Sequence, residues 1–380
     1  MVTYLDHAAT TPMRPESVEA MLPFLGARVG NPSGGHAAAR AARQAIEEGR
    51  EIVAATLGAE PGEVVFTGGG TEADNLAVTG VLARHGGIPV CSAVEHHAVL
   101  HPVEALGGRV VAVHADGRVD LGALDAALDT QVGVVSLMLV NNEVGVVQPL
   151  AEAAALVAER APGAVVHTDA VQAFPWLDVA TEARPAHLVA VSAHKFGGPQ
   201  GVGALVVREG VALEPLLRGG GQERDRRSGT HNVAGIVGMG AAMAATVAQR
   251  TATVARVGRL RDRLVDGLLS TVPGVTESGS RATKVAGTAS LLIEGIESEA
   301  LLVLLDQAGI CATAASSCAS GAMEPSHVLA AMGVPRALAY GSLRLSLGWT
   351  STDADVERAL EVIPGAVAQL RERTTLTLTP

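Results

Sequence analysis

Residues 188–207 constrain the fold of this chain most strongly, because two strand patterns flank a polar, glycine-rich turn. The apolar run 188–191 leads into Ser192, His194 and Lys195, and glycines follow before a second apolar run that ends at residue 207. Short apolar runs bounded by glycine are typical of buried strands. A lysine at the end of such a strand is partly desolvated, which favours the neutral amine that attacks an aldehyde. Lys195 is therefore predicted to form a Schiff base.

A second strand pattern begins at Val165 and ends at Asp169. Pyridoxal phosphate needs a Schiff-base lysine and usually a carboxylate that keeps its ring nitrogen protonated. Asp169 and Lys195 would be that pair. Taken alone, Lys195 would more often be a solvated lysine at a strand end, so the prediction depends on the residues that accompany it.

A candidate anion site follows the strand pattern at residues 63–67. Three glycines, Gly68 to Gly70, and then Thr71 precede a helix predicted to begin at Glu72. Backbone N–H groups, the helix dipole and a hydroxyl group together suit a phosphate. The turn lacks the lysine of a P-loop and the glycine spacing of a dinucleotide fingerprint. Ser192 and His194 offer further donors.

Polar residues also follow the other strand patterns of the first half. Strands predicted at residues 88–94, 109–114 and 132–140 alternate with helices, which indicates an α/β domain with a parallel sheet. Ligands bind at the carboxyl ends of such strands. The residues expected at this edge are Thr71, His96, Asn142, Asp169, Gln172 and Lys195.

The second half has a different pattern. A long helix is predicted over residues 233–269, and from about residue 275 shorter strands and helices indicate a smaller α+β domain. Strict alternation over residues 342–347 places Arg344 opposite a leucine face, where it could bind a carboxylate or face water. Cys318 lies in a run of small residues and is expected on an accessible loop, whereas Cys311 is expected to be buried.

Composition excludes several classes of function. A net charge of -11 and an aromatic content of 2% argue against nucleic-acid binding. The N-terminus has no signal-peptide pattern, and no apolar stretch is long enough to span a membrane comfortably. Three cysteines do not indicate a disulfide framework. His97 and His101 stand four residues apart, but no further ligand accompanies them, so no metal is predicted.

The chain resembles the NifS/IscS-like cysteine desulfurases, in the class V aminotransferase-like branch of fold-type I pyridoxal-phosphate enzymes. The matching motifs run in order from residues 4–12, YLDHAATTP, to residues 342–348, SLRLSLG. The resemblance implies an α/β fold with a large cofactor-binding domain over residues 13–250, built on a mostly parallel seven-stranded sheet. Residues 1–12 and 251–380 would form the smaller α+β domain.

The resemblance also implies roles for individual residues. Lys195 would bind the cofactor covalently, Asp169 its ring nitrogen and Gln172 its ring hydroxyl, while His96 would stack on the ring and assist proton transfer. The phosphate would be held by Gly70, Thr71, Ser192 and His194, with Thr230 reaching over from a second subunit. Asn31, Asn142 and Arg344 would orient the cofactor and the substrate carboxylate.

The implied reaction removes sulfur from L-cysteine and gives L-alanine and a persulfide on Cys318. The family further implies a homodimer and a sulfur-acceptor protein in iron–sulfur cluster assembly or thiolation. From the missing signal-peptide pattern and the cysteine usage we expect a cytoplasmic location. Two small-residue positions depart from the family pattern, with Ala315 in place of a glycine and Ala319 in place of a threonine; His231 replaces a common proline. Alternatives are a selenocysteine lyase or aminotransferase of the same fold, or a non-catalytic sulfur carrier.

Overall fold

The computed structural model describes residues 2–315 and 326–377, the last five by backbone only. The strands are β1 (Thr3–Tyr4), β2 (Val64–Thr67), β3 (Ile88–Ser92), β4 (Arg109–Val111), β5 (Val132–Ser136), β6 (Val165–Asp169), β7 (Leu188–Ser192), β8 (Gly203–Val207), β9 (Val275–Glu277), β10 (Thr288–Ile293), β11 (Ile310–Cys311) and β12 (Ser342–Ser346). The helices are α1 (Pro15–Leu25), α2 (Ala37–Leu57), α3 (Gly70–His85), α4 (His97–Ala105), α5 (Leu121–Ala127), α6 (Leu150–Arg160), α7 (Val179–Glu182), α8 (Val233–Thr271), α9 (Ser298–Gln307), α10 (His327–Ala331), α11 (Arg336–Ala339) and α12 (Asp353–Thr377).

Within the described residues, seven strands form one sheet in the order β2-β8-β7-β6-β5-β3-β4. Strand β8 pairs antiparallel with both of its neighbours, and the other pairings are parallel. Strands β5, β7 and β8 are buried along their whole length, as expected of strands covered on both faces. The mostly parallel seven-stranded sheet predicted from the sequence is therefore confirmed.

Several elements differ from their predicted bounds, and two of these differences lie next to the predicted site at the carboxyl edge of the sheet. Strand β5 ends at Ser136 rather than at residue 140, although the backbone beyond it still bonds to β6: Leu137 N–H donates to the carbonyl oxygen of His167 and Leu139 N–H to that of Asp169. Helix α3 begins at Gly70, two residues earlier than predicted. Its first turn therefore includes the glycine and threonine of the candidate anion site.

A smaller sheet lies in the second half of the chain. Strands β12, β10 and β9 pair antiparallel in that order. The start of the chain joins this part, because β1 pairs with β11 and Asp6 bridges to Ser346. Leu5 is fully buried in the same apolar cluster as Leu345. The predicted grouping of residues 1–12 with the C-terminal part remains a prediction, and these contacts support it.

Helix α8 links the two apolar cores. Its first half contributes Ile236 and Met243 to the core around the seven-stranded sheet, and its second half contributes Leu260 and Leu264 to the other core. Among the described helices, α8 is long and apolar enough to cross a membrane by length and composition alone, with 56% of that stretch buried in the fold. The predicted domain boundary at residue 250 falls inside this helix.

The charged segment 217–230 is largely exposed, as its composition suggests, but Glu223 is buried within it. The Glu223 carboxylate accepts two hydrogen bonds from Arg50, at 2.8 and 2.7 Å, and one from the N–H of Phe66 at 2.8 Å. His231 Nε2 lies 2.6 Å from the same carboxylate. Residues Glu223, Arg224 and Asp225 all have positive φ angles of 49°, 56° and 63°. A buried ion pair thus fixes a backbone conformation that L-residues rarely adopt.

We expect Glu223→Ala to destabilise the protein by about 3–5 kcal/mol, since it leaves the Arg50 guanidinium buried without a counter-charge. Burial alone would raise the pKa of Glu223, but hydrogen bonds from Arg50 and His231 outweigh it and lower the pKa to about 2. Because the folded-state pKa is depressed, this stabilisation is fully present above a pH of about 4.5 and is lost as the pH falls toward 2. Urea midpoints measured from pH 7 to pH 3 test both effects.

Asp125→Ala is the matched control, because Asp125 pairs with Arg160 on the surface. Its urea midpoint should stay within error of the parent, as is common for exposed ion pairs. A Glu223→Ala midpoint equal to that of the control would contradict a stabilising role for the buried pair.

Candidate functional site

A pocket of about 1080 Å³ lies at the carboxyl edge of the seven-stranded sheet, where the predicted polar residues meet. Its lining includes ten of the residues singled out from the sequence: Gly70, Thr71, His96, Asn142, Asp169, Gln172, Ser192, His194, Lys195 and, from β12, Arg344. Parallel strands that end at one edge bring these distant residues together. The sequence prediction of one shared site therefore agrees with where the structure places these side chains.

The anion-binding part of the pocket is the start of α3. Gly69 caps the helix with a φ of 145°, and Gly70 is its first residue. A Cβ atom at Gly70 would lie 2.9 Å from Val171 Cγ2, so only glycine fits without displacement. The first N–H groups of a helix have no partner inside the helix and attract anions. With Thr71, Ser192 and His194 in the same lining, this end of the pocket suits a phosphate.

Lys195 also lines the pocket, at the end of a 3₁₀ turn that follows β7. Its ammonium group donates to the carbonyl oxygens of Ala8 and Ala9, at 2.7 and 2.8 Å. Burial and, to a lesser extent, Arg344 lower the pKa of Lys195 to about 8, although Asp169 acts in the opposite direction. An appreciable fraction of the amine is therefore neutral, and nucleophilic, near pH 7–8.

Asp169 is the last residue of β6 and lines the same pocket. Its Oδ1 accepts a hydrogen bond from the N–H of Val171 at 2.8 Å. Burial raises the pKa of Asp169 to about 6, while the Val171 N–H and Lys195 limit the rise. Asp169 is therefore ionised at neutral pH and can bind a protonated ring nitrogen. Gln172, whose Nε2 donates to Ala8 O at 2.7 Å, holds the same loop in place.

His96 precedes α4 and acts as its N-cap. Its Nδ1 accepts from the N–H of Ala98 at 3.1 Å, which leaves the proton of the neutral ring on Nε2. Burial, followed by Lys195 and the neighbouring histidines, lowers the pKa of His96 to about 4. His96 is thus a neutral hydrogen-bond donor toward the pocket. To accept a proton, as the sequence resemblance implies, it must use Nδ1 and release Ala98.

Arg344 on β12 contributes a buried cation to the pocket wall. Its guanidinium donates to Asp6 Oδ1 and to the carbonyl oxygen of Asn142, each at 2.9 Å. Its Nε atom is buried and has no partner among the described residues. The alternation of β12 therefore turns Arg344 into the site rather than toward water. A carboxylate that enters the pocket would meet a guanidinium with unused donor capacity.

Three predicted residues are not placed in this pocket. Asn31 is exposed, and its side chain accepts from Ser33 N–H at 3.0 Å. Thr230 is exposed on the segment that follows Glu223. Cys318 lies outside the described residues, although Thr313 to Ala315, just before it in the chain, line the pocket.

The other cysteines and the histidine pair are described. Cys91 is buried, and burial raises the pKa of its thiol. Cys311 is only half-buried, at the short strand β11, so the prediction that it is buried was wrong. His97 and His101 stack with ring centroids 4.6 Å apart. In the part of the chain that the structure describes, no group of three or more ligand residues is arranged to hold a metal ion.

Sequence reasoning missed Asp74, which lines the pocket from α3, and Glu95, which is buried just before His96. A signal for Asp74 was available, since it shares a helix face with the buried residues Ala77 and Val78. An aspartate on such a face is unusual unless it has a specific role. For Glu95 the sequence offered only its position at a strand end.

The residues of the pocket fit pyridoxal phosphate. The glycine-lined helix start matches its phosphate, the ionised Asp169 its ring nitrogen, and the partly neutral amine of Lys195 its aldehyde. Arg344 adds a second positive group besides the N-terminal end of the α3 dipole, and both favour anions. A substrate with a carboxylate suits the remaining space.

Comparisons with known proteins agree with this geometry. The aminotransferase class-V family matches the chain over residues 3–359. A protein of Mycobacterium tuberculosis named IscS-like cysteine desulfurase is 48% identical, covering 97% of each chain. Cysteine desulfurase IscS of Methanosarcina thermophila is 42% identical, over 98% of this chain and 94% of that protein.

A solved structure of a NifS-like protein is 34% identical and superposes with a TM-score of 0.91, covering 97% of this chain and 100% of that one. The match spans both the seven-stranded sheet and the smaller C-terminal part. Enzymes of this family depend on pyridoxal phosphate, and the resemblance inferred from the sequence motifs is confirmed. The chain therefore belongs to the aminotransferase class-V family, among its NifS-like and IscS-like members.

Proposed function

We propose that the protein is a cysteine desulfurase, which converts L-cysteine to L-alanine and keeps the sulfur as a persulfide on Cys318. The observation that carries this proposal is one pocket that contains Lys195, Asp169 and Arg344 and is bordered by Thr313 to Ala315. Those last residues lead directly toward Cys318 in the sequence. The near full-length similarity to proteins named cysteine desulfurase supports the same conclusion.

Pyridoxal phosphate would be held by residues from several elements that line the pocket. Gly70, Thr71, Ser192 and His194 would bind its phosphate, and Asp169 would bind its ring nitrogen. When bound, the cofactor withdraws electrons from the alpha carbon of an amino acid. The burial of Asp169 strengthens its interaction with a protonated nitrogen, because little water competes with the carboxylate.

Arg344 would orient the substrate through its carboxylate. In the structure one N–H group of the guanidinium pairs with Asp6 at 2.9 Å and another is tied to the backbone of Asn142. The contact with Asn142 fixes the plane of the guanidinium against the turn that lines the pocket. A substrate carboxylate would then compete with Asp6 for the guanidinium fork.

Lys195 and His96 would supply the proton chemistry. The amine of Lys195 has a pKa of about 8, which is close to that of an effective acid–base group at neutral pH. His96 donates from Nε2 and can orient a neighbouring polar group. The Cys318 thiolate would attack the substrate sulfur, forming the S–S bond of the persulfide as the C–S bond breaks. The carbon keeps the bonding electron pair and takes a proton, which yields alanine.

The protein would act as a homodimer through the exposed faces of α1, α2 and α8. Val18, Leu22 and Leu25 on α1 are 41%, 59% and 66% exposed, and Ile52 on α2 and Val247 on α8 are also exposed. Helices α1 and α2 both pack along the first half of α8, so the three helices that carry these side chains are neighbours. An exposed apolar face of this kind marks an interface.

The dimer would also account for the position of Thr230. Thr230 follows Glu223 on a segment that the Arg50 ion pair fixes at the surface. It lies outside the pocket of its own protomer, consistent with a role in the partner subunit's phosphate site. A sulfur-acceptor protein would take the persulfide in a subsequent step.

The reaction itself is tested with purified protein, pyridoxal phosphate and L-cysteine. We expect one alanine per sulfur transferred, no alanine from Lys195→Ala, and no protein persulfide from Cys318→Ala, which should keep the absorbance of the bound cofactor. Cys311→Ala, in the half-buried cysteine, is the matched control and should form the persulfide normally. Full alanine production by Cys318→Ala in the presence of reductant would contradict the proposal.

The same assay separates the alternatives of the same fold. Preferential turnover of L-selenocysteine would indicate a selenocysteine lyase. Amino-group transfer to a keto acid, with Cys318 dispensable, would indicate an aminotransferase. A colourless protein that never binds the cofactor would instead support a non-catalytic sulfur carrier.

We expect Arg344→Lys to raise KM for L-cysteine by about 10–100-fold, because the point charge of lysine cannot form the bidentate contact with a carboxylate. The effect on kcat should be smaller. Steady-state kinetics on the loaded enzyme measure both constants. Arg336→Lys, at a surface arginine that contacts Tyr340, should leave KM unchanged, whereas an equal effect at both positions would exclude a specific role for Arg344.

We expect Leu22→Glu to weaken the dimer, since it places a charge in the proposed apolar interface. Sedimentation velocity should report a shift from about twice the 38.5 kDa chain mass toward the mass of one chain. Leu269→Glu is the control, because Leu269 is an exposed leucine on the far half of α8. A parent protein that sediments as a monomer at assay concentrations would overturn this assignment.

A further inference from the structure

Three carboxyl groups are buried together beneath the candidate cofactor site. Asp74, Glu95 and Asp169 are 1%, 0% and 6% exposed. Burial raises the pKa of Asp74 and of Glu95; the charges of Asp169 and Glu95 add to the rise at Asp74, and that of Asp169 to the rise at Glu95. Two ionised carboxylates in one dry site repel each other strongly. Protonation of part of the cluster relieves this repulsion.

The positive charge of Lys195 singles out Asp169 as the charged member of the cluster, because it acts on Asp169 and on neither Asp74 nor Glu95. Asp169 accepts from the N–H of Val171 and is stabilised by the charge of Lys195. Glu95 accepts from the N–H of Met138 at 2.7 Å through Oε1, but its Oε2 has no partner among the described residues. Burial first, and then the neighbouring carboxylates, raise the pKa of Asp74 and of Glu95 well above the ordinary range.

Asp74 has one candidate partner, the imidazole of His167. His167 Nε2 lies 3.5 Å from Asp74 Oδ1, and both atoms are buried without any other partner in the described structure. On its other side, His167 Nδ1 lies 2.8 Å from Ser136 Oγ. Burial lowers the pKa of His167 to about 3, so the ring is neutral.

The strand geometry explains why this pair lies next to the site. His167 and Asp169 are two residues apart on β6, so their side chains emerge on the same face of the sheet. Helix α3 covers that face and carries Asp74 four residues after Gly70. A hydrogen bond between a neutral imidazole and a buried carboxyl group needs one proton between the two atoms. A rotation of the Asp74 side chain that shortens the distance from Oδ1 to His167 Nε2 by about 0.7 Å makes a normal hydrogen bond.

We propose that Asp74 is a positioning residue kept as a neutral carboxylic acid, which donates its proton to His167 Nε2 and leaves Asp169 as the charged carboxylate of the cluster. This inference rests on the proposed pyridoxal phosphate site, since it assigns Asp74 the role of keeping the negative charge of the cluster on Asp169, which would face the ring nitrogen. The neutral ring of His167 then carries its own proton on Nδ1 and donates it to Ser136. A charged Asp74 would instead place a second negative charge close to the substrate's path.

The first experiment uses the full-length protein freed of cofactor, so that it does not depend on cofactor chemistry. Aspartate labelled with ¹³C at the side-chain carboxyl is followed by infrared and NMR spectroscopy at pH 7.5, above the pKa of Asp169. We expect a protonated aspartic acid signal in the parent that is lost in Asp74→Asn. Because only aspartate carries the label, Glu95 does not contribute to this signal. Nitrogen NMR of His167 should show a neutral ring protonated at Nδ1, and a doubly protonated ring would overturn the proposal.

The second experiment compares two substitutions in the loaded enzyme. Asn at position 74 can still donate to His167 while remaining neutral, so Asp74→Asn should keep the Kd for pyridoxal phosphate within about twofold. The pH midpoint of the cofactor's absorbance should stay within about 0.3 pH unit. Asp74→Ala leaves His167 Nε2 buried and unpartnered, and we expect the Kd to rise by about tenfold.

Asp125→Asn, which removes a surface carboxylate, is the matched control and should change neither quantity. A shift of one pH unit or more in Asp74→Asn would show that Asp74 carries a charge, and would overturn the proposal. If Asp74→Ala does not fold, the pH midpoint of the cofactor's absorbance in Asp74→Asn still tests the proposal. A protein that never binds the cofactor would refute the proposed function, whereas the protonation state of Asp74 would still be decided by the measurement on the cofactor-free protein.

Discussion

The register between β6 and β7 determines where the chemical groups of this protein meet. Asp169 pairs with Ala190, so the parallel strands end within a few residues of each other. The turn after β7 then carries Lys195 back over the same edge. A shift of the register by one residue would turn Asp169 to the opposite face of the sheet. The remaining pocket residues depend on this pair, because the neighbouring strands deliver them to the same edge.

Burial at this edge sets the charges of the pocket. It makes His96 and His194 neutral, since it lowers the pKa of each to about 4. It also brings Lys195 into the range where its proton can be exchanged near neutral pH, whereas Arg344 remains a cation. The pocket therefore combines a fixed cation, a titratable amine and the positive end of α3. This combination favours a ligand with both a phosphate and a carboxylate over one that is cationic.

Local patterns predicted the edge residues well, because a polar residue that ends an apolar run identifies both a strand and its exposed end. They failed where a contact joins distant parts of the chain. Glu223 looks like a loop residue by composition, yet it is buried by Arg50, which lies 173 positions earlier. The place of Asp74 on a buried helix face was a signal in the sequence, but its neighbours follow only from the packing of α3 on β6. The tautomer of His96 likewise follows from a cap hydrogen bond, which periodicity does not specify.

The N-terminal segment links the two cations that the proposed reaction needs. The carbonyl groups of Ala8 and Ala9 accept from Lys195, and the carboxylate of Asp6 pairs with Arg344. The segment is itself fixed at both ends, by the bridge from Asp6 to Ser346 and by the hydrogen bond from Thr11 N–H to His194 O. These few residues therefore fix the positions of the Lys195 amine and the Arg344 guanidinium relative to each other. Because a substrate carboxylate must compete with Asp6 for Arg344, binding of substrate would alter the same segment that positions Lys195, and the two events are physically coupled.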